Sequence, residues 1–167
     1  MLAALTVATG SARADLVAQQ EDQFKASYVF NFVKFVEWPA AQGSDTLTIC
    51  FVGGDGVYTA LNTGIANKHV GTRALAALKM DPSQPAAACD ALYIEASTLA
   101  GYALPLEKAV LTISDAADFT ARGGMIGLFT ENHRLRFAIN IQSARTVGLH
   151  ISSDLLKLAA DVQRGAQ

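Results

Sequence analysis

The chain of 167 residues has two cysteines, four prolines and one tryptophan, and it lacks most of the patterns that carry catalysis. The cysteines, Cys50 and Cys89, make no CxxC spacing, so neither a zinc ribbon nor a thioredoxin-type motif is on offer. No serine sits in a GxSxG elbow. His69, His133 and His150 lie far apart, none with a second ligand at a spacing such as i, i+4. The sequence therefore predicts no metal, no cofactor and no enzyme. Formal net charge is −2 and no large basic patch stands out, which argues against nucleic acid as a partner. No apolar run approaches the length of a membrane span. There is no internal repeat, low-complexity segment or linker. Half the residues are hydrophobic, which suits one globular domain with a proper core.

The chain starts with an apolar run, Met1 to Ala8, and Ala12-Arg13-Ala14 fits the small-x-small cleavage rule. Residues 1–14 read as the remnant of a secretory signal peptide, without its basic region. An exported, soluble protein beginning at Asp15 is expected. In such a protein two cysteines more often form a disulfide than a pair of free thiols.

Asp15 to Asp22 is polar and reads as a loose start. QFKASYVFNFVKFVEWP then sets Phe24, Tyr28, Phe32 and Phe35 on one helical face, widened by Val29, Val33 and Val36. Lys25, Ser27, Asn31 and Lys34 lie mostly away from that face, and Trp38-Pro39 should end the helix. Thr46 to Val52 is a nearly continuous apolar strand, as in a sheet covered on both faces. Gly53-Gly54-Asp55-Gly56 and a helix from about Val57 to Ala66 follow. Strand, glycine turn and helix are the layout of a phosphate loop. The match is poor, because Thr59 stands where a dinucleotide fingerprint needs glycine and no Walker lysine is present. Further strands are predicted over 73–80 and 89–94, a proline-rich loop over 81–85, and a short helix over 99–108 broken near Pro105.

The chain is organised around residues 110–159. Val110 to Ser114 reads as a buried strand, and Met125 to Thr130 as a second. Glu131-Asn132-His133 turns into a third, Leu135 to Ile141, whose Leu135, Phe137, Ile139 and Ile141 alternate with polar or small residues. A helix over 142–147 stops at Gly148. A last helix after Ser152-Ser153 should bury Leu155, Leu158, Ala159 and Val162. Strands alternating with helices predict an α/β fold: a single domain with a mixed, mostly parallel sheet flanked by helices, a Rossmann-like sandwich, and a C-terminal antiparallel hairpin. Arg122, Arg134, Arg136 and Arg145 fall close together in this stretch, either as a solvated sheet face or as an anion or partner site. Asp115 follows a buried strand, where open α/β sheets place ligand groups, or it caps the segment 116–122. Asp115, Arg134, Arg136, Asn140 and Arg145 are the candidate ligand- or partner-binding residues.

KASYVFNFVKFVEWP resembles the N-terminal helix motif of the YfiR-like family of bacterial periplasmic proteins. TISD, F-x-x-x-G-G-M-I, R-F-x-I-N, A-R-x-x-G-L and S-S-x-L-L-K-L-A occur in the order of that family's C-terminal half. The resemblance covers nearly all of residues 15–167. It implies a soluble periplasmic regulator that holds an inner-membrane diguanylate cyclase inactive, so controlling cyclic-di-GMP and biofilm formation. The implied partner is the cyclase's periplasmic domain, often with an outer-membrane lipoprotein, and a homodimer is expected. A small-ligand module reporting to another envelope sensor, such as a histidine kinase, is the alternative. Cys50 and Cys89 match the family's disulfide between the first and third long strands, and the second pair of some members is absent. A strand order 2-1-3 would make those two strands neighbours, about 4.8 Å apart, close enough for a bond.

Overall fold

The structure, a computed structural model, describes residues 9–39 and 44–164. In chain order its elements are α1 (Thr9–Lys34), β1 (Val36–Glu37), β2 (Thr46–Val52), α2 (Asp55–Gly64), β3 (His69–Val70), β4 (Arg73–Lys79), β5 (Ala91–Ile94), α3 (Ala96–Leu99), β6 (Leu111–Ser114), β7 (Ile126–Glu131), β8 (Arg134–Asn140), α4 (Ile141–Thr146), β9 (His150–Ile151), α5 (Ser153–Leu158) and β10 (Asp161–Gln163). One eight-stranded sheet has the order β10-β8-β7-β6-β5-β2-β4-β3, and β1 pairs with β9 in a separate two-stranded sheet. From β4 through β2, β5 and β6 to β7 the pairing is parallel, and β8 returns antiparallel to β7. This is the expected α/β sandwich with its hairpin.

The sequence TLTICFV explains the centre of the sheet. Leu47, Ile49 and Phe51 enter the larger core under α1 and α2, while Cys50 and Val52 enter a smaller core with Leu92, Ile94 and Phe119 on the opposite face. Alternate side chains of a strand point to opposite faces, so a strand covered on both sides is apolar throughout. On the larger face, Tyr28 and Phe32 of α1 lean on Phe137 of β8 with ring centroids 5.8 and 5.0 Å apart. Edge-to-face pairs of this kind add about 0.5–1.5 kcal/mol each beyond area burial. The hairpin closes on a two-residue loop, since Glu131 pairs with Arg134. Asn132 and His133 both have positive φ, 49° and 58°, as the primed turns that match strand twist require.

The first strand of the parallel region, β2, has β4 on one side and β5 on the other, which is the expected order 2-1-3. The Cys50–Cys89 bond is present, with Cα atoms 5.8 Å apart. Cys89 lies just before β5 rather than opening it. Both sulfur-bearing residues are buried. At the amino end of the same strands, Asp90 accepts hydrogen bonds from Thr48 N and from Arg73 Nη2, and its carbonyl accepts from Trp38 Nε1. That set ties the residues after α1 to the sheet.

Several local expectations are corrected. Asp15 to Asp22 is helical rather than loose, because Leu16, Ala18, Gln19, Gln20 and Glu21 favour helix and no glycine or proline interrupts the run. Ala12-Arg13-Ala14 lies in that same helix, and Met1 to Ala8 lies outside the described residues. The helix ends at Lys34, before Trp38-Pro39, because Val36 and Glu37 pair with Ile151 and His150. Phe24 is exposed, since it lies well round the helix from Val29, Val33 and Val36, whose side of α1 is the buried one. The helix expected over 99–108 is instead α3, Ala96–Leu99, followed by turns. Of the residues expected inside on the last helix, Leu158 is exposed, Ala159 already lies past its end, and Val162 belongs to β10, where it pairs with Ile139.

Candidate functional site at the carboxyl edge of the sheet

The connection from β2 leads to β4 on one side, and the connection from β5 leads to β6 on the other. The carboxyl ends of β2 and β5 therefore flank a topological switch point, where open α/β sheets bind ligands. The chain leaves β2 through Gly53 and Gly54, both left-handed, at φ 72° and 65°. A side chain at Gly54 would stand 2.7 Å from the Tyr93 ring, and one at Gly53 would stand 2.9 Å from the Glu95 carboxylate. The first turn of α2 is as crowded, because a Cβ on Gly56 would collide with the Asp22 carboxylate. The glycines are there to admit the protein's own side chains.

Those side chains form a charged junction beneath α1. Lys25 Nζ lies 2.7 Å from Asp115 Oδ2 and 2.8 Å from Glu21 Oε1. Asp115 Oδ1 accepts from Ala96 N at 2.8 Å, so Asp115 caps the first turn of α3 and not the segment 116–122. Ala116 N is held by Ser114 Oγ instead. Glu95 Oε2 accepts from Ser97 Oγ. Tyr93 is fully buried under the junction, and its hydroxyl has no hydrogen-bond partner among the described residues.

The electrostatics follow from this packing. Burial works to raise Asp115, but Lys25 and the Ala96 amide overcome it and hold the carboxyl below its ordinary range. Burial works to lower Lys25, and its bonds to Asp115 and Glu21 hold it above its ordinary range. Asp22 is pushed up, first by burial and then by Glu21, Glu95 and Asp115 against the pull of Lys25. Burial, with Asp115, Glu95 and Asp22 around it, drives the Tyr93 phenol far up.

In this arrangement the protein's own side chains fill the crevice. The place at the start of α2 that a phosphate would take is covered by the Asp22 carboxylate, and like charge around it repels an anion. Among the described residues no three His, Cys, Asp or Glu side chains converge on a metal-holding geometry, and Lys25 supplies the cation in their midst. Beside the junction runs an open groove of about 870 Å³ between α1 and α2, lined by Asp22, Ala26, Phe30, Asp55, Ala60 and Ile65 among others.

Of the five candidate residues, Arg134, Arg136 and Asn140 share one face of β8, while Asp115 and Arg145 lie elsewhere. Only Asp115 stands in the junction. Asn140 is a structural cap: its Oδ1 accepts from Ser143 N and its Nδ2 donates to Thr120 O. Arg134 sits at the hairpin turn, Arg136 faces Glu131 at 3.8 Å, and Arg145 lies on α4. None of the five lines the α1–α2 groove. Sequence reading missed Asp22, Lys25 and Tyr93, and it weighed Glu95 as a partner of Asp115 but found no spacing to support the pair. The available signal was Glu21 four residues before Lys25, an ion-pair spacing on a helix.

Among the described residues no helix is long and apolar enough to cross a membrane. The sequence profile of a family described as YfiR/HmsC-like matches residues 22–160. The structure is similar to that of a conserved domain protein from Vibrio cholerae O1 biovar El Tor, with a TM-score of 0.52 at 10% identity. The match covers 83% of this chain and 60% of that one, so the likeness is one of fold. No curated protein matches the chain.

Proposed function

The chain belongs to the YfiR/HmsC-like family, and from that membership we propose that it is a periplasmic regulatory protein and not an enzyme. It holds an inner-membrane diguanylate cyclase inactive by binding the cyclase's periplasmic domain, and so limits cyclic-di-GMP and biofilm formation. An outer-membrane lipoprotein is the second partner. Residues 1–14 are removed on export, and residues 15–167 act as one domain in a homodimer. Arg134, Arg136 and Arg145 are proposed partner contacts. The observation that carries this reading is the family match across residues 22–160. The self-occupied crevice supports it, because a regulator needs a fixed shape and no reaction site.

Deleting the gene in a strain that expresses the cyclase should raise cyclic-di-GMP and biofilm. Unchanged cyclic-di-GMP in that deletion overturns the reading. Light scattering at micromolar concentration should give a dimer mass, and a single monomer mass would remove the homodimer from it.

A further inference from the structure

The groove between α1 and α2 has a polarity that the junction alone does not explain. α1 and α2 run in the same direction along it, since Asp22 meets Gly56 at the start of α2 and Phe30 lies by Lys68 just past its end. The floor is apolar: Ala26, Leu61 and Ile65 are buried. Small residues set its width, with Gly56, Ala60 and Gly64 recurring every fourth position along α2. A side chain added at Gly64 would meet nothing within 4 Å. One end carries Asp15, Asp22 and Asp55, the last paired with Lys79 at 2.8 Å, and the other carries Lys68, stacked on the Phe30 ring at 4.8 Å with Lys34 on the same ring at 5.2 Å beyond the lining.

We propose that this groove seats an amphipathic helix of a partner protein, about four turns long, lying antiparallel to α1 and α2 with its basic last turn against Asp15, Asp22 and Asp55. The length follows from the span Asp15 to Phe30 on α1, about 1.5 Å per residue. The direction follows from charge. Helices favour acidic residues in the first turn and basic ones in the last. An antiparallel guest therefore brings its basic turn to the acidic end and its acidic turn to Lys68 and Lys34, while its dipole opposes those of its hosts. Apolar residues at i, i+3, i+4 and i+7 would lie on the floor, as in other helix-in-groove contacts.

The proposal rests on the reading of the chain as a protein-binding regulator, and its test separates the two. The probe is a synthetic amphipathic peptide of about 18 residues, long enough to hold helical structure by itself. It has leucines on one face, glutamates in the first turn and lysines in the last. Fluorescence anisotropy with the full chain should show binding at micromolar concentration. Replacing the last-turn lysines with glutamate should weaken it about tenfold, and so should Gly64→Trp, which fills the groove at a position with free space. Equal binding of both peptides, equal binding to Gly64→Trp, or no binding overturns the groove. Capture of the cyclase's periplasmic domain is read beside it. If wild type and Gly64→Trp capture it equally, the groove fails and the regulator stands. If neither captures it while the peptide still distinguishes them, the groove stands and the cyclase is not its partner.

Discussion

Replacing Lys25 with methionine removes the one cation from the junction while keeping the length of the side chain. Lys25 and Asp115 side chains are 14% and 16% exposed. Breaking a fully buried pair by removing one partner costs ~3–5 kcal/mol, because the other charge is left uncompensated. Asp115 keeps the Ala96 amide and some solvent contact, so a loss of about 2–3 kcal/mol is expected. For a domain of this size that lowers Tm by roughly 5–10 °C. The pH dependence identifies the cause. In the native protein the Asp115 pKa is depressed, so its contribution is present above the unfolded carboxylate value of about 3.9 and lost as pH falls through the folded value. Without Lys25, burial and the carboxylates of Glu21, Asp22 and Glu95 dominate, and the Asp115 pKa rises. Protonation then relieves the variant before it harms the native protein. The stability gap between Lys25→Met and wild type, measured by urea denaturation, should therefore narrow from pH 7 to about pH 4. A gap that stays constant over that range, or one below about 0.5 kcal/mol at pH 7, would refute the account of the junction.

Asp22→Asn should act in the opposite sense. The native Asp22 pKa is raised, so its charge costs stability above that pKa and the cost vanishes as pH falls through it. The amide should raise Tm by roughly 1–2 °C at pH 7 and not at pH 3, checked by scanning calorimetry at both. Cys50→Ser opens a ring whose ends are 39 residues apart, and chain entropy sets the loss at roughly 4 kcal/mol. Its urea midpoint should fall steeply, while oxidised wild type should show no alkylatable thiol after denaturation without reductant. Asn140→Ala removes the cap on Ser143 N and the bond to Thr120 O and should cost about 1–2 kcal/mol, measured by urea denaturation. A neutral result would mean that Asn140 does not hold α4.

The parts of this fold that were legible in the sequence are those in which neighbours along the chain decide. TLTICFV declares a doubly covered strand, and the alternation from Leu135 to Ile139 declares a half-covered one. The turn at Asn132-His133 was equally plain. Strands of two or three residues, β1, β3, β9 and β10, carry no period to read. They form because partners brought near by the larger elements complete their backbone hydrogen bonds. The same limit hid the junction. Lys25 and Asp115 are 90 residues apart, and although the helix wheel puts Lys25 between Phe32 and Val36 on the apolar face, nothing near it in sequence names the carboxylate that pairs with it there. Asn140 ends an apolar strand in the sequence, and the cap it forms on α4 shows only when the following helix is seen.

The order in which the chain can be completed follows from where α1 finds its cover. Tyr28 donates its hydroxyl to Leu135 O, 107 residues further on, and Val36 pairs with Ile151. The first helix is thus synthesised at the start and docked at the end. Until β8 has emerged, the rings of Tyr28 and Phe32 have no Phe137 to lean on. Contacts this distant make folding slow, and a chain stalled or cut before residue 135 presents an aromatic ridge with nothing above it. Such fragments should be the natural prey of chaperones and proteases, whereas the complete chain closes on itself in a single late step.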